Sequence, residues 1–107
     1  MTKYEKRLTQ LVNIIKEFDP EMVYAYGSWV WGKASKNSDI DLMMVVKEGT
    51  DTLKIRQKIE SKLFNGGYPY DLSPDIHVVE KNIFEYRLSR GDPFISDVAK
   101  GKLVYTP

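Results

Sequence analysis

Residues 27–42 read GSWVWGKASKNSDIDL, and MMVV follows directly at 43–46. Asp39 and Asp41 open what is otherwise an apolar run with the length and composition of a buried strand. Placing charge there is costly unless it is paired or bound to a cation. Residues two apart on a strand share a face. Asp39 and Asp41 therefore present their carboxylates side by side, while Ile40, Leu42 and Met44 turn the other way into a core. Converging carboxylates repel unless a cation lies between them, and hard cations such as Mg2+ take oxygen ligands.

Upstream, Met22–Tyr26 is short and rich in β-forming residues, which predicts a strand. Gly27-Ser28 breaks it, SWVWG predicts a turn or two of helix before Gly32, and KASKNS is loop. A glycine at a strand end lets backbone approach a phosphate closely, and the N–H groups of a helix start favour anions. Ser28 and Ser38 add hydroxyls. A phosphate cradle and a carboxylate pair joined by one loop suit a metal–nucleoside triphosphate. Lys33 lies in that loop, where it would either neutralise phosphate charge or simply be solvated, and Lys36 reads as solvated. Trp29 and Trp31 offer stacking surfaces, although aromatic residues at such spacing usually pack a core.

The remaining chain alternates between helical and strand patterns. Tyr4, Leu8, Leu11, Val12, Ile15 and Phe18 recur at helical spacing over 3–18, with Thr2 and Glu5 as a capping box and Asp19-Pro20 as the stop. Leu53, Ile55, Ile59 and Leu63 mark a second amphipathic helix over 52–64, and NGGYPY is a turn-rich connection. Asp75–Val79 predicts a third strand, 81–90 a short helix, and Asp92-Pro93 the start of another, with Gly101 beyond its end. LVY near the C-terminus predicts a peripheral fourth strand. The expected class is α+β: a small mixed sheet backed by helices, in one domain spanning 1–107.

Composition narrows the partners. The formal net charge is +1, so no strong field favours nucleic acid or a membrane surface. There is no cysteine, which excludes disulfides and thiolate metal sites. No run spans a bilayer and the N-terminus lacks an apolar signal core, so the expected location is cytoplasmic.

Gly27-Ser28, three residues, Gly32, five residues, then Ser38-Asp39-x-Asp41-Leu42 resembles the signature of the nucleotidyltransferase superfamily that includes DNA polymerase β. Length and element order resemble its minimal branch, the MNT-type antitoxins paired with HEPN-domain toxins. The resemblance implies a third carboxylate on a neighbouring strand. Asp75 in SPDIHVV is the choice, with Asp71 in the turn-like YPYDLSP as rival. It further implies that Asp39, Asp41 and Asp75 hold a pair of Mg2+ ions, and that Gly27, Ser28, Ser38 and Lys33 contact phosphates. The implied reaction moves AMP from ATP onto a hydroxyl. The implied acceptor is a tyrosine of a HEPN-type toxin, because the chain offers no acceptor-gripping domain. A non-catalytic antitoxin that masks its partner, and an enzyme acting on a small molecule, are the alternatives. His77, on the Asp75 face, reads as an ordinary strand histidine or as a group that positions the acceptor. The aromatic and basic C-terminal third permits a homodimer or a hetero-complex equally.

Overall fold

The strand β2, Ile40–Val46, is the axis of the molecule; the computed structural model describes residues 1–107. Every residue of β2 is buried except Asp41. This is the pattern of a central strand covered on both faces, where near-continuous apolar sequence is required. Around it stand α1 (Lys3–Ile15), β1 (Met22–Tyr26), α2 (Thr52–Asn65), β3 (Pro74–Glu80), α3 (Lys81–Ser89), α4 (Pro93–Ala99) and β4 (Lys102–Tyr105). The strands form one mixed sheet in the order β3-β2-β1-β4. β1 runs antiparallel to both β2 and β4, whereas β3 is parallel to β2. A parallel neighbour needs a crossover, and α2 supplies it.

The period-two alternation of β2 sorts its side chains between two cores. Ile40, Leu42, Met44 and Val46 pack with Val23, Ala25 and Ile76 beneath Leu11 and Ile15 of α1 and Ile59 and Leu63 of α2. On the opposite face Met43 and Val45 pack with Tyr26 beneath Phe84 of α3 and Ile95 and Val98 of α4. Each such aliphatic side chain removed from water stabilises the fold by about 1.5–3 kcal/mol. Asp41 lies on the same face as Met43 and Val45 and is the one residue of β2 that is only partly covered.

The caps follow the expected chemistry. Glu5 N–H donates to Thr2 Oγ1 and Thr2 N–H to the Glu5 carboxylate, closing the box at the start of α1. Asp92 accepts from Ile95 N–H at the start of α4. Some boundaries shift. The helix expected over 3–18 is regular only to Ile15; Lys16–Phe18 tightens into a 3-10 turn, closed by Asp19 in the left-handed conformation. The strand expected from Asp39 begins at Ile40, so Asp39 precedes the ladder. The helix expected in SWVWG does not form. Val30 and Trp31 N–H donate to Gly27 C=O, and Lys33 N–H to Ser28 C=O, giving hydrogen-bonded turns only. Gly27 and Gly32 both take positive φ, which leaves too few residues between them to propagate a helix.

Candidate functional site

The sheet register assembles the site. Asp41 stands opposite Tyr26 on β1 and opposite Asp75 on β3, so the three side chains form one row across the sheet. The next row on the same face is Tyr24, Met43 and His77. Asp39 joins from the residue before Ile40. Phe94 of α4 lies over this end of the sheet, edge-on to Tyr26 at 5.7 Å and to His77 at 5.6 Å between ring centroids.

Electrostatics mark the same place. The Asp41 carboxyl is pushed up to about 6, first by burial and then by the neighbouring charges of Asp75 and Asp39. Burial, reinforced by Asp41 and Asp75, raises the Tyr26 phenol far above its ordinary range. Burial and the Asp41 charge also raise Tyr4. Three carboxylates thus share one corner with no lysine or arginine among them, and His77 Nε2 stands 3.5 Å from Asp75 Oδ1. The rival acid is occupied elsewhere: Asp71 receives a two-pronged hydrogen bond from Arg7 at 2.7 and 2.9 Å, which holds its carboxyl down at about 2. Asp71 fastens the turn before β3 to α1, and Asp75 is the acid the fold brings to Asp41.

Gly27 explains itself at this site. Its φ is +81°, and a Cβ built on it would overlap Asp41 Oδ2. Only glycine allows the backbone to pass so close beneath that carboxylate. The N–H groups of the next two residues, Ser28 and Trp29, donate to no acceptor within the chain. They are free donors beside the carboxylate row, which is the arrangement that receives phosphate oxygens.

The loop returning to Asp39 is held by named bonds. Trp29 stacks on Tyr4 with ring centroids 5.0 Å apart, and its Nε1–H donates to Ser38 C=O at 2.8 Å. Ser38 Oγ accepts from Ser35 N–H at 2.9 Å and lies 3.2 Å from Ser35 Oγ. Trp29 and Ser38 therefore fix the loop that presents Asp39. Lys33 is exposed and its side chain makes no hydrogen bond or ion pair, and Trp31 stands 45% exposed. Replacing Trp29 with Phe keeps most of the stack but deletes the bond to Ser38. The variant is expected to lose about 1 kcal/mol in urea unfolding. Its activity should fall further than that loss of stability explains, because Asp39 loses its anchor. Unchanged stability and activity would show the bond to be idle.

Could these residues hold Mg2+? The donor set of the three acids is all oxygen, and the burial and the neighbouring Asp75 and Asp39 charges that raise the Asp41 carboxyl are what a bound cation would offset. However, no three acidic or histidine side chains are gathered tightly enough to form a metal cage from protein ligands alone. The fit is to an ion that keeps waters and is held by one or two carboxylates together with substrate phosphates, the usual manner of Mg2+.

Sequence reasoning missed Tyr26 and Phe94. Tyr26 looked like the end of a strand, and only the antiparallel register opposite Asp41 reveals its place. Phe94 looked like one more apolar residue of α4.

A partly exposed carboxylate row across a mixed sheet, with free backbone donors after β1, defines a nucleotide-handling α+β domain. The chain belongs to the family described as Polymerase beta, Nucleotidyltransferase, whose sequence model matches residues 9–106. A presumed nucleotidyltransferase of Sulfolobus solfataricus, known from a crystal structure at 1.40 Å, superposes with a TM-score of 0.60 at 21% identity. That likeness covers 94% of this chain and 78% of the other. A second presumed nucleotidyltransferase superposes at 0.55, also 21% identical, over 92% of this chain and 97% of its own. At that identity the neighbours establish the fold. Comparison with curated protein sequences found no match.

Proposed function

We propose that the chain transfers a nucleoside monophosphate, AMP from ATP, to a hydroxyl on a partner protein. Asp39, Asp41 and Asp75 serve as the acidic site, and the backbone at Gly27–Ser28 grips the phosphates. Ser28 Oγ and Lys33 stand near enough in sequence to add contacts, while Ser38 acts by shaping the loop. Mg2+ bound with the triphosphate would supply charge neutralisation at the attacking and leaving oxygens. The chain's own contribution is to hold the carboxylates in one row and to orient the α-phosphorus over Asp41.

One observation carries the choice of a protein acceptor: the carboxylates lie on an open shelf. Asp39 and Asp75 are exposed and Asp41 is only partly buried. Small-molecule sites are concave and bury most of their ligand. A shelf needs a second macromolecular surface to complete it and exclude water. The net charge of +1 argues against nucleic acid as that surface. The resemblance of Gly27–Leu42 to minimal nucleotidyltransferases supports a HEPN-type toxin as the partner, silenced by modification in the cytoplasm.

The test is transfer of label from α-labelled ATP with Mg2+ to the product of the neighbouring gene, co-expressed with this chain. Label should appear on the partner with the wild-type protein and vanish with Asp39→Ala, which should still fold because no core contact is lost. A tight complex that forms without label, and survives chelation of the metal, would replace transfer by masking. Transfer to small hydroxyl compounds by the isolated chain would move the acceptor to that class.

A further inference from the structure

The row of side chains across the sheet gives the site two unequal sides. On one side of Asp41 is β1, which ends at Tyr26 and passes straight into Gly27 and the free N–H donors of Ser28 and Trp29. On the other side is β3, carrying Asp75 and then His77. In an in-line displacement the incoming and leaving oxygens stand on opposite sides of the phosphorus. With the phosphate-gripping backbone on the β1 side, pyrophosphate leaves over β1. The hydroxyl must then arrive over β3.

This places two side chains that the carboxylate chemistry does not use. His77 is the only histidine in the chain, lies one step along β3 from Asp75, and has its Nε2 3.5 Å from Asp75 Oδ1. Its side chain is 45% exposed, so it is no core histidine. Phe94 leans against its ring from α4 and remains 39% exposed, although the neighbours Ile95 and Val98 are fully buried. A ring held edge-on between Tyr26 and His77, and exposed to that degree, is a wall that is partly open to solvent. Aromatic groups gain from edge or offset contact with such a wall beyond the area they bury.

We propose that His77 and Phe94 form the acceptor subsite of the reaction inferred above. They receive the flat apolar frame that carries the incoming hydroxyl, and they set that hydroxyl beside Asp75. The chemistry of the wall selects an acceptor with a planar ring over a bare alkyl alcohol. Neither residue touches the phosphates. The assignment rests on the nucleotidyltransferase reading, and it adds which side of the shelf the acceptor occupies and what recognises it. In the balanced step, the acceptor oxygen bonds to the α-phosphorus, the bond from that phosphorus to the pyrophosphate oxygen breaks, and the hydroxyl proton passes to the carboxylate beside it.

Because the chain has a single histidine, the His77 Hε1 proton gives one isolated signal by NMR. The experiment adds α,β-methylene-ATP with Mg2+, then titrates phenol, with ethanol as the comparison alcohol. The nucleotide analogue should move the Gly27 and Ser28 amide signals and leave the His77 ring signal nearly in place. Phenol should then move the His77 signal, and ethanol should not. Phe94→Ala should weaken the phenol response roughly tenfold, the scale of one aromatic contact, without changing the response of Gly27 and Ser28. Phe94→Leu, which keeps bulk at the α4 position, should show the same loss if the alanine variant misfolds. A His77 signal that moves with the analogue as far as Gly27 and Ser28 would assign the wall to the nucleotide and overturn the proposal. So would a phenol titration that leaves His77 unmoved while the nucleotide binds. If the analogue moves neither Gly27 nor Ser28, the nucleotidyltransferase reading itself falls, and the acceptor subsite falls with it.

Discussion

The Asp41→Asn protein is expected to melt above the wild type at pH 8 without divalent cation while transferring no nucleotide. Asp41 is partly withdrawn from water and sits beside Asp75 and Asp39, which together push its carboxyl up to about 6. The native state therefore binds a proton that the unfolded chain, titrating near the ordinary 3.8, has already released. A raised acid costs stability on the alkaline side. The penalty is absent below pH 3.8, grows as pH rises through about 6, and is complete above that. A carboxyl raised that far would cost about 3 kcal/mol at full value. Partial exposure and ionic screening reduce that to ~1 kcal/mol. In a domain of this size, ~1 kcal/mol moves Tm by roughly 4–8 °C. The gain of the asparagine variant should vanish at pH 4, where the wild-type carboxyl is already neutral. Mg2+ with ATP should raise the wild-type Tm and leave the variant's unchanged, because only a binding-competent native state is stabilised by its ligand. Transfer should fall by on the order of a thousandfold or more, ~4 kcal/mol in the barrier. Thermal melts at pH 4 and pH 8, alongside label transfer, check both halves. A variant that melts lower at pH 8 would show that Asp41 is held by partners rather than crowded by them.

That trade is why the candidate site stands out in the sequence. An acid placed in a strand that is otherwise fully buried contradicts its surroundings, and such contradictions mark function. Asp41 was legible for that reason, and alternation along β2 gave its orientation. Asp75 was preferred over Asp71 from its place at the head of an apolar alternation, and what the sequence did not give was where Asp71 is held. Asp71 turned out to be claimed by Arg7, a partner from α1 that no local pattern reveals. Tyr26 and Phe94 stayed hidden for the same reason. Their roles arise from the antiparallel register and from the docking of α4, both of which connect residues distant in sequence. The missing helix in SWVWG came from the opposite error. The local pattern permitted it, but Gly27 and Gly32 answer to the carboxylate site and the loop, not to helix propagation.

Gly27 is also where the second large effect is expected. Gly27→Ala should destabilise the protein by about 2–3 kcal/mol, from two separable causes. A positive φ costs an alanine roughly 1 kcal/mol wherever it occurs. The remainder comes from the overlap of the new Cβ with the Asp41 side chain, whose Cγ and Cβ also lie at 3.0 and 3.3 Å, so more than the carboxylate tip must shift. The two parts separate in a double-mutant cycle. In an Asp41→Ala background the carboxylate is gone, and Gly27→Ala should then cost only the backbone part, about 1 kcal/mol. The coupling, about 1–2 kcal/mol, measures how tightly the phosphate-gripping backbone and the acidic row are pressed together. Urea unfolding of the four proteins gives the cycle directly. Additive costs would mean that Gly27 serves only its own turn. A clear coupling, with loss of nucleotide binding in Gly27→Ala alone, would tie the turn to the chemistry. The glycine would then be present because the carboxylate must stand that close to the backbone that holds the phosphates.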